Sequence, residues 1–117
     1  MGSTPEQIFT QLVAVGNTVS VEVEQNIEHS FQLKLANKVT NVIVGIVGSL
    51  DGTNFFEVPL VNTAVAGCAI TTNRCTITVD GTYVLKCQGK YKELRFDFIS
   101  EAGGATATLD VRYFGGK

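Results

Sequence analysis

The pattern along this chain has a period of two. Val19, Val21 and Val23 alternate with Ser20, Glu22 and Glu24, and Phe31, Leu33 and Leu35 alternate with Gln32 and Lys34. Leu94, Phe96 and Phe98 alternate with Arg95 and Asp97. Ala105, Ala107, Leu109, Val111 and Tyr113 alternate with Thr106, Thr108, Asp110 and Arg112. Successive side chains of a strand point to opposite faces, so each set predicts a strand with one apolar and one polar face. Asn41 to Ser49 departs from this pattern, being uncharged and rich in β-branched Val and Ile. It reads as a strand buried on both faces, or on one face plus a partner. Phe55 to Val58, Cys75 to Val79 and Thr82 to Cys87 fill the remaining strand slots.

Turn chemistry separates the runs. Gly16-Asn17, Glu24 to Glu28, Ala36-Asn37-Lys38, Asp51-Gly52, Asp80-Gly81, Gln88-Gly89-Lys90 and Gly103-Gly104 supply the breaks. About eight short strands at this spacing predict an all-β antiparallel sandwich, jelly-roll-like in form. The predicted core includes Val21, Phe31, Leu33, Val44, Phe96, Phe98, Leu109 and Val111. Residues 1–7 read as a flexible N-terminal arm and 8–117 as one sandwich domain. Thr4, Pro5 and Gln7 offer a helix start, but the β-branched and aromatic content from Ile8 to Val15 favours a strand equally. The stretch from Leu60 to Arg74 is small and neutral, and predicts a long loop or contact arm.

Composition changes the picture mainly by exclusion. With 117 residues and 44% hydrophobic content, the chain supports one core without staples. Its net charge is −2, and the densest basic group, Lys86, Lys90, Lys92 and Arg95, is broken by Glu93 and Asp97. Without a basic stripe, nucleic acid is not an expected partner. No apolar run approaches membrane-spanning length, and the start lacks the basic and apolar blocks of a secretory signal. The three cysteines, Cys68, Cys75 and Cys87, match no zinc spacing. The expectation is three small buried hydrophobes in a reducing site of synthesis, with a Cys68–Cys75 bridge as the competitor.

No catalytic constellation assembles. His29 is the one histidine, and its neighbour Ser30 must point to the opposite strand face. Glu22, Glu24, Asp97 and Asp110 sit on polar faces with no cleft or Trp floor for a sugar. Asp51, Thr53 and Asn54 supply oxygens that suit calcium, but the same residues suit an Asx turn. The glycine pairs Gly103-Gly104 and Gly115-Gly116 join no strand to a helix, so they form no phosphate cradle. The expectation is a protein that is not an enzyme and carries no cofactor or metal. Its candidate interface residues are apolar positions facing outward. Val42, Val44 and Ile46 take the core side, so Ile43 and Val47 face out, with Gly45 and Gly48 permitting close approach. Phe114 falls opposite Leu109, Val111 and Tyr113.

The phrase Ser49-Leu50-Asp51-Gly52-Thr53-Asn54-Phe55 resembles one found in small β-sandwich structural proteins of tailed bacteriophages. There an apolar strand ends in an Asp-Gly turn and an aromatic follows. Gly81 to Val84, Lys90 to Phe96, the Gly103-Gly104 turn and the strand from Thr106 to Tyr113 extend the resemblance. It runs from about Thr18 to Phe114. The resemblance implies a virion protein made in the host cytoplasm, most simply a capsid decoration (cement) protein. Such proteins clamp neighbouring subunits of the major capsid protein, often as trimers. A head-closure or tail accessory role is the near variant. Discoidin-like and carbohydrate-binding sandwiches share the phrase, so a glycan- or cell-surface-binding module is the alternative. Those relatives usually carry Trp after the turn, where this chain has Phe55 and Phe56.

Overall fold

The computed structural model describes residues 7–8, 18–24, 26–61 and 65–116. Ten strands form among them: β1 (Gln7–Ile8), β2 (Thr18–Glu22), β3 (Glu28–Ala36), β4 (Asn41–Ser49), β5 (Phe55–Glu57), β6 (Cys68–Thr71), β7 (Arg74–Ile77), β8 (Gly81–Gln88), β9 (Glu93–Ala102) and β10 (Thr108–Gly116). All pairings between them are antiparallel. A four-stranded sheet has the order β1-β10-β3-β8. A six-stranded sheet has the order β2-β9-β4-β7-β6, with β5 also paired to β4. From β1 to β4 and again from β7 to β10 the chain changes sheet at every step. This winding makes an all-β sandwich of two antiparallel sheets, as the period-two pattern predicts. No helix among the described residues is long and apolar enough to cross a membrane.

Alternation fixes which residues meet between the sheets. Phe31, Leu33, Leu35, Leu85, Leu109, Val111 and Tyr113 line the inner face of the four-stranded sheet, and all are buried. Val21, Val42, Val44, Ile46, Ile77, Leu94, Phe96 and Phe98 answer from the six-stranded sheet. The Phe31 and Phe96 rings meet across the interior with centroids 6.0 Å apart. All eight predicted core residues are buried. Gly48 lies on the inner side of β4, where a Cβ would stand 2.8 Å from Val58 and 3.1 Å from Leu94. The glycine lets the segment after β5 close over the edge of the core.

Several expectations need correction. The stretch from Leu60 to Arg74 is not a plain loop, because β6 lies within it and forms a hairpin with β7. The hairpin turns through Thr72, held at φ +52°, and Asn73. Asn73 is buried at the point where β4 exchanges one neighbour for another. Its Nδ2 donates to the Ile46 carbonyl, and its own carbonyl accepts from the Ile46 amide. The hairpin also brings Cys68 and Cys75 into a disulfide with Cα atoms 6.1 Å apart, so the reading of three reduced thiols fails for these two. Cys87 is a free, buried thiol. Gln7 is part of β1, paired with Tyr113 of β10, while the other residues of the expected arm, Met1–Glu6, lie outside the described residues. So do most of the N-terminal helix-or-strand segment and residues 62–64 of the long stretch.

Candidate interaction faces

Ile43 and Val47 face outward on the six-stranded sheet, both half-buried. Register places their neighbours. Ile43 lies between Thr76 of β7 and Ser100 of β9. Gly45 lies between Arg74 and Asp97, and Val47 between Glu57 and Arg95. Strand β9 carries a bulge here: Ile43 opposes Ser100 and Val44 opposes Phe98, leaving Ile99 as the extra residue. Ile99 reaches over Gly45, where a Cβ would come within 2.9 Å of its Cδ1. The outward apolar strip is thus partly covered from within the chain, and Gly45 is what admits the cover.

The charged groups on this face are positioned by their neighbours. Arg95 Nε donates to Asp97 Oδ1 at 2.9 Å. Its guanidinium lies 4.9 Å from the centre of the Phe55 ring, a cation–π contact. Alternation marked Ile43 and Val47, but not Ile99, Phe55, Glu57 or Arg74, since these join the face only through cross-strand register. A bulge leaves no period to read, and pairing partners are not local in sequence.

Phe114 is 38% exposed on the outer side of β10, opposite Ser30 of β3. It lies on the four-stranded sheet, so the structure places it on the far side of the sandwich from Ile43 and Val47. The three candidates form two faces, not one patch.

The polar residues weighed for chemistry are separated or internally satisfied. Glu22 and Asp97 lie on strands of the six-stranded sheet and Asp110 on the four-stranded one. The Asp51 carboxylate accepts hydrogen bonds from Asn54 N, Thr53 N, Asn54 Nδ2 and Ser49 Oγ, each within 2.9 Å. These donors, the Asn54 and Thr53 amides foremost, hold its pKa well below the usual carboxylate range. They make an Asx turn whose tip presents Leu50, 67% exposed. Among the described residues, no group of three His, Cys, Asp or Glu is placed to hold a metal ion.

His29 is buried and fully engaged. Its Nε2 lies 2.9 Å from the Gly89 carbonyl, which can only accept, so in the neutral ring Nε2 carries the proton. Nδ1 therefore accepts from the Tyr113 hydroxyl at 2.7 Å, and that hydroxyl accepts from Asn26 Nδ2 at 3.1 Å. Burial lowers the His29 pKa, against a smaller raising effect of the Gly89 carbonyl. The Cys87 thiol, across the ladder from His29, is pushed up to about 12 by burial. A thiol so rarely ionised is a poor nucleophile.

Comparison with known proteins adds one informative likeness. No family model matches the chain, and no curated protein matches it. Among solved structures it is similar to the SPBc2 prophage-derived protein YomS, with a TM-score of 0.56 and 10% identity over 98% of this chain and 93% of that one. Lower-scoring likenesses include the structure titled "Bacillus endospore appendages form a novel family of disulfide-linked pili" (TM-score 0.46, 12% identity, 97% of this chain and 88% of that one). Another is a family 29 carbohydrate-binding module, CBM29-2 (TM-score 0.43, 16% identity, 85% and 61%). At 10% identity the likeness to YomS shows a shared fold and nothing more.

Proposed function

We propose that this chain is a non-enzymatic structural protein of a phage particle, acting as a capsid decoration (cement) protein that stabilises the head. The observation that carries the reading is the placement of apolar outward residues on both sides of one rigid sandwich, Ile43 and Val47 on one sheet and Phe114 on the other. A protein that bridges neighbours needs two separate contact faces, whereas a protein that binds one ligand needs one site. The match to a prophage-derived protein over nearly the full length of both chains supports a phage origin. The partners are then the major capsid protein and further copies of this chain, and the location is the virion. A stable contact needs on the order of 1,200–2,000 Å² of buried surface in total, which a broad sheet face can supply.

The test is co-sedimentation with undecorated capsids of the same phage. The wild-type protein should bind saturably. Phe114→Glu and the double change Ile43→Glu/Val47→Glu should each weaken binding at least tenfold, about 1.4 kcal/mol, with the fold intact by circular dichroism. Unchanged binding by both variants would remove these faces from the interface. A second reading, glycan or cell-surface binding, draws on Phe56, 42% exposed and 6.1 Å from the Tyr91 ring. Beside it lies a cavity of about 220 Å³ lined by Glu24, Leu50, Lys90, Tyr91 and Lys92. Saturable glycan binding lost in Phe56→Ala, without capsid binding, would favour that reading. Saturable binding to tails and not heads would favour a tail or head-closure accessory role.

A further inference from the structure

We infer that the outer face of the six-stranded sheet pairs with the same face of a second copy of this chain, related by a two-fold axis lying in the plane of contact. The inference rests on the reading of a self-associating virion protein and names the surface used. Its basis is the order of charges around the centre of β4. On one side of Val47 stands Glu57 and on the other Arg95. One register step away the signs reverse, with Arg74 beside Gly45 on the Glu57 side and Asp97 on the Arg95 side. The four charges make a square of alternating sign around an apolar strip of Ile43, Gly45 and Val47.

Such a square is complementary to itself. If the two-fold axis runs along β4, each Glu57 meets the other copy's Arg95 and each Arg74 meets the other copy's Asp97. If the axis runs across the strands, each Glu57 meets the other copy's Arg74 and each Arg95 meets the other copy's Asp97. Neither arrangement opposes like charges, and an isologous contact asks for that self-matching. A three-fold arrangement does not bring a face onto itself and would leave the pattern unused. The area also suffices. The strands of this sheet run from three residues in β5 to ten in β9, which at about 3.3 Å per residue and about 4.8 Å between strands present roughly 550 Å² per copy, or about 1,100 Å² for the pair, above the ~1,000 Å² that a specific interface needs. Phe114, on the other sheet, stays free to face a capsid.

Sedimentation equilibrium tests the pairing. The wild-type protein should form a dimer of twice the 12.5 kDa chain mass, weakened by added salt. Glu57→Lys, at an exposed position, brings positive groups together in either orientation and should raise the dimer dissociation constant at least tenfold. Asp110→Lys, the same change of charge on the outer side of the other sheet, should leave it unchanged. A wild-type protein that stays monomeric at high concentration overturns the inference, and so does a dimer affected equally by both variants or by neither. Capsid binding is read separately. A monomer that decorates capsids would overturn the pairing and keep the proposed function, and a dimer that ignores capsids would do the reverse.

Discussion

Replacing Phe96 with alanine should destabilise the protein by roughly 3–5 kcal/mol, the cost of losing a buried aromatic ring and leaving a cavity. Phe96 is fully buried in the middle of β9, beside Ile46 of β4. Its ring meets Phe31 of the opposite sheet, so the truncation removes a contact that joins the two layers. Phe114→Ala provides the internal comparison, because Phe114 points outward and its loss should change stability by about 0.5 kcal/mol or less. Denaturant titration of both variants measures the difference. A loss under about 1 kcal/mol for Phe96→Ala would contradict the assigned core.

Acid should loosen the molecule through His29. Burial lowers the pKa of this ring in the folded protein, while the unfolded chain titrates near the ordinary histidine value of about 6.5. Above that value both states hold neutral imidazole and the group contributes its full stability. As pH falls below it, the unfolded chain takes up protons that the folded protein refuses. Stability is therefore lost downward from about pH 6.5 until the lowered folded pKa is reached, by at most about 1.4 kcal/mol per pH unit. The geometry explains the refusal. A second proton would sit on Nδ1 and point at the Tyr113 oxygen, which already accepts from Asn26, and the Tyr113 hydroxyl would lose its acceptor. Stability measured between pH 6.5 and 5 should slope in the wild type and flatten in His29→Gln, whose amide can still donate to Gly89. Equal slopes in the two proteins would contradict the assignment.

The fold was legible because burial on one face of a strand writes itself into sequence as alternation. Phe31, Leu33 and Leu35, or Leu109, Val111 and Tyr113, can be assigned to a core face without knowing any partner. What alternation cannot express is which sheet a strand joins. Phe114 and Ile43 both read as outward, yet they lie on opposite sides of the molecule, because sheet membership is set by long-range pairing. Strand β6 escaped for a different reason. Cys68-Ala69-Ile70-Thr71 is short and small, and its turn uses Thr72 at positive φ, where Gly or Asn is the usual signal. The Asn26–Tyr113–His29 hydrogen bonds were equally hidden, since each residue reads singly as an ordinary polar or aromatic strand-end position. Of the candidate faces, the apolar centres were visible in sequence. The square of charges around Val47 and Gly45 was not, since it needs the register of four strands.

A cryo-EM map of the phage particle that carries this protein would locate it directly. A decoration protein should give density for the two-sheet sandwich on the outer surface of the capsid, seated across the boundary between neighbouring capsid subunits with a sheet face against the shell. Density for the sandwich confined to the tail, or a head with no such density in particles that contain the protein, would contradict that role.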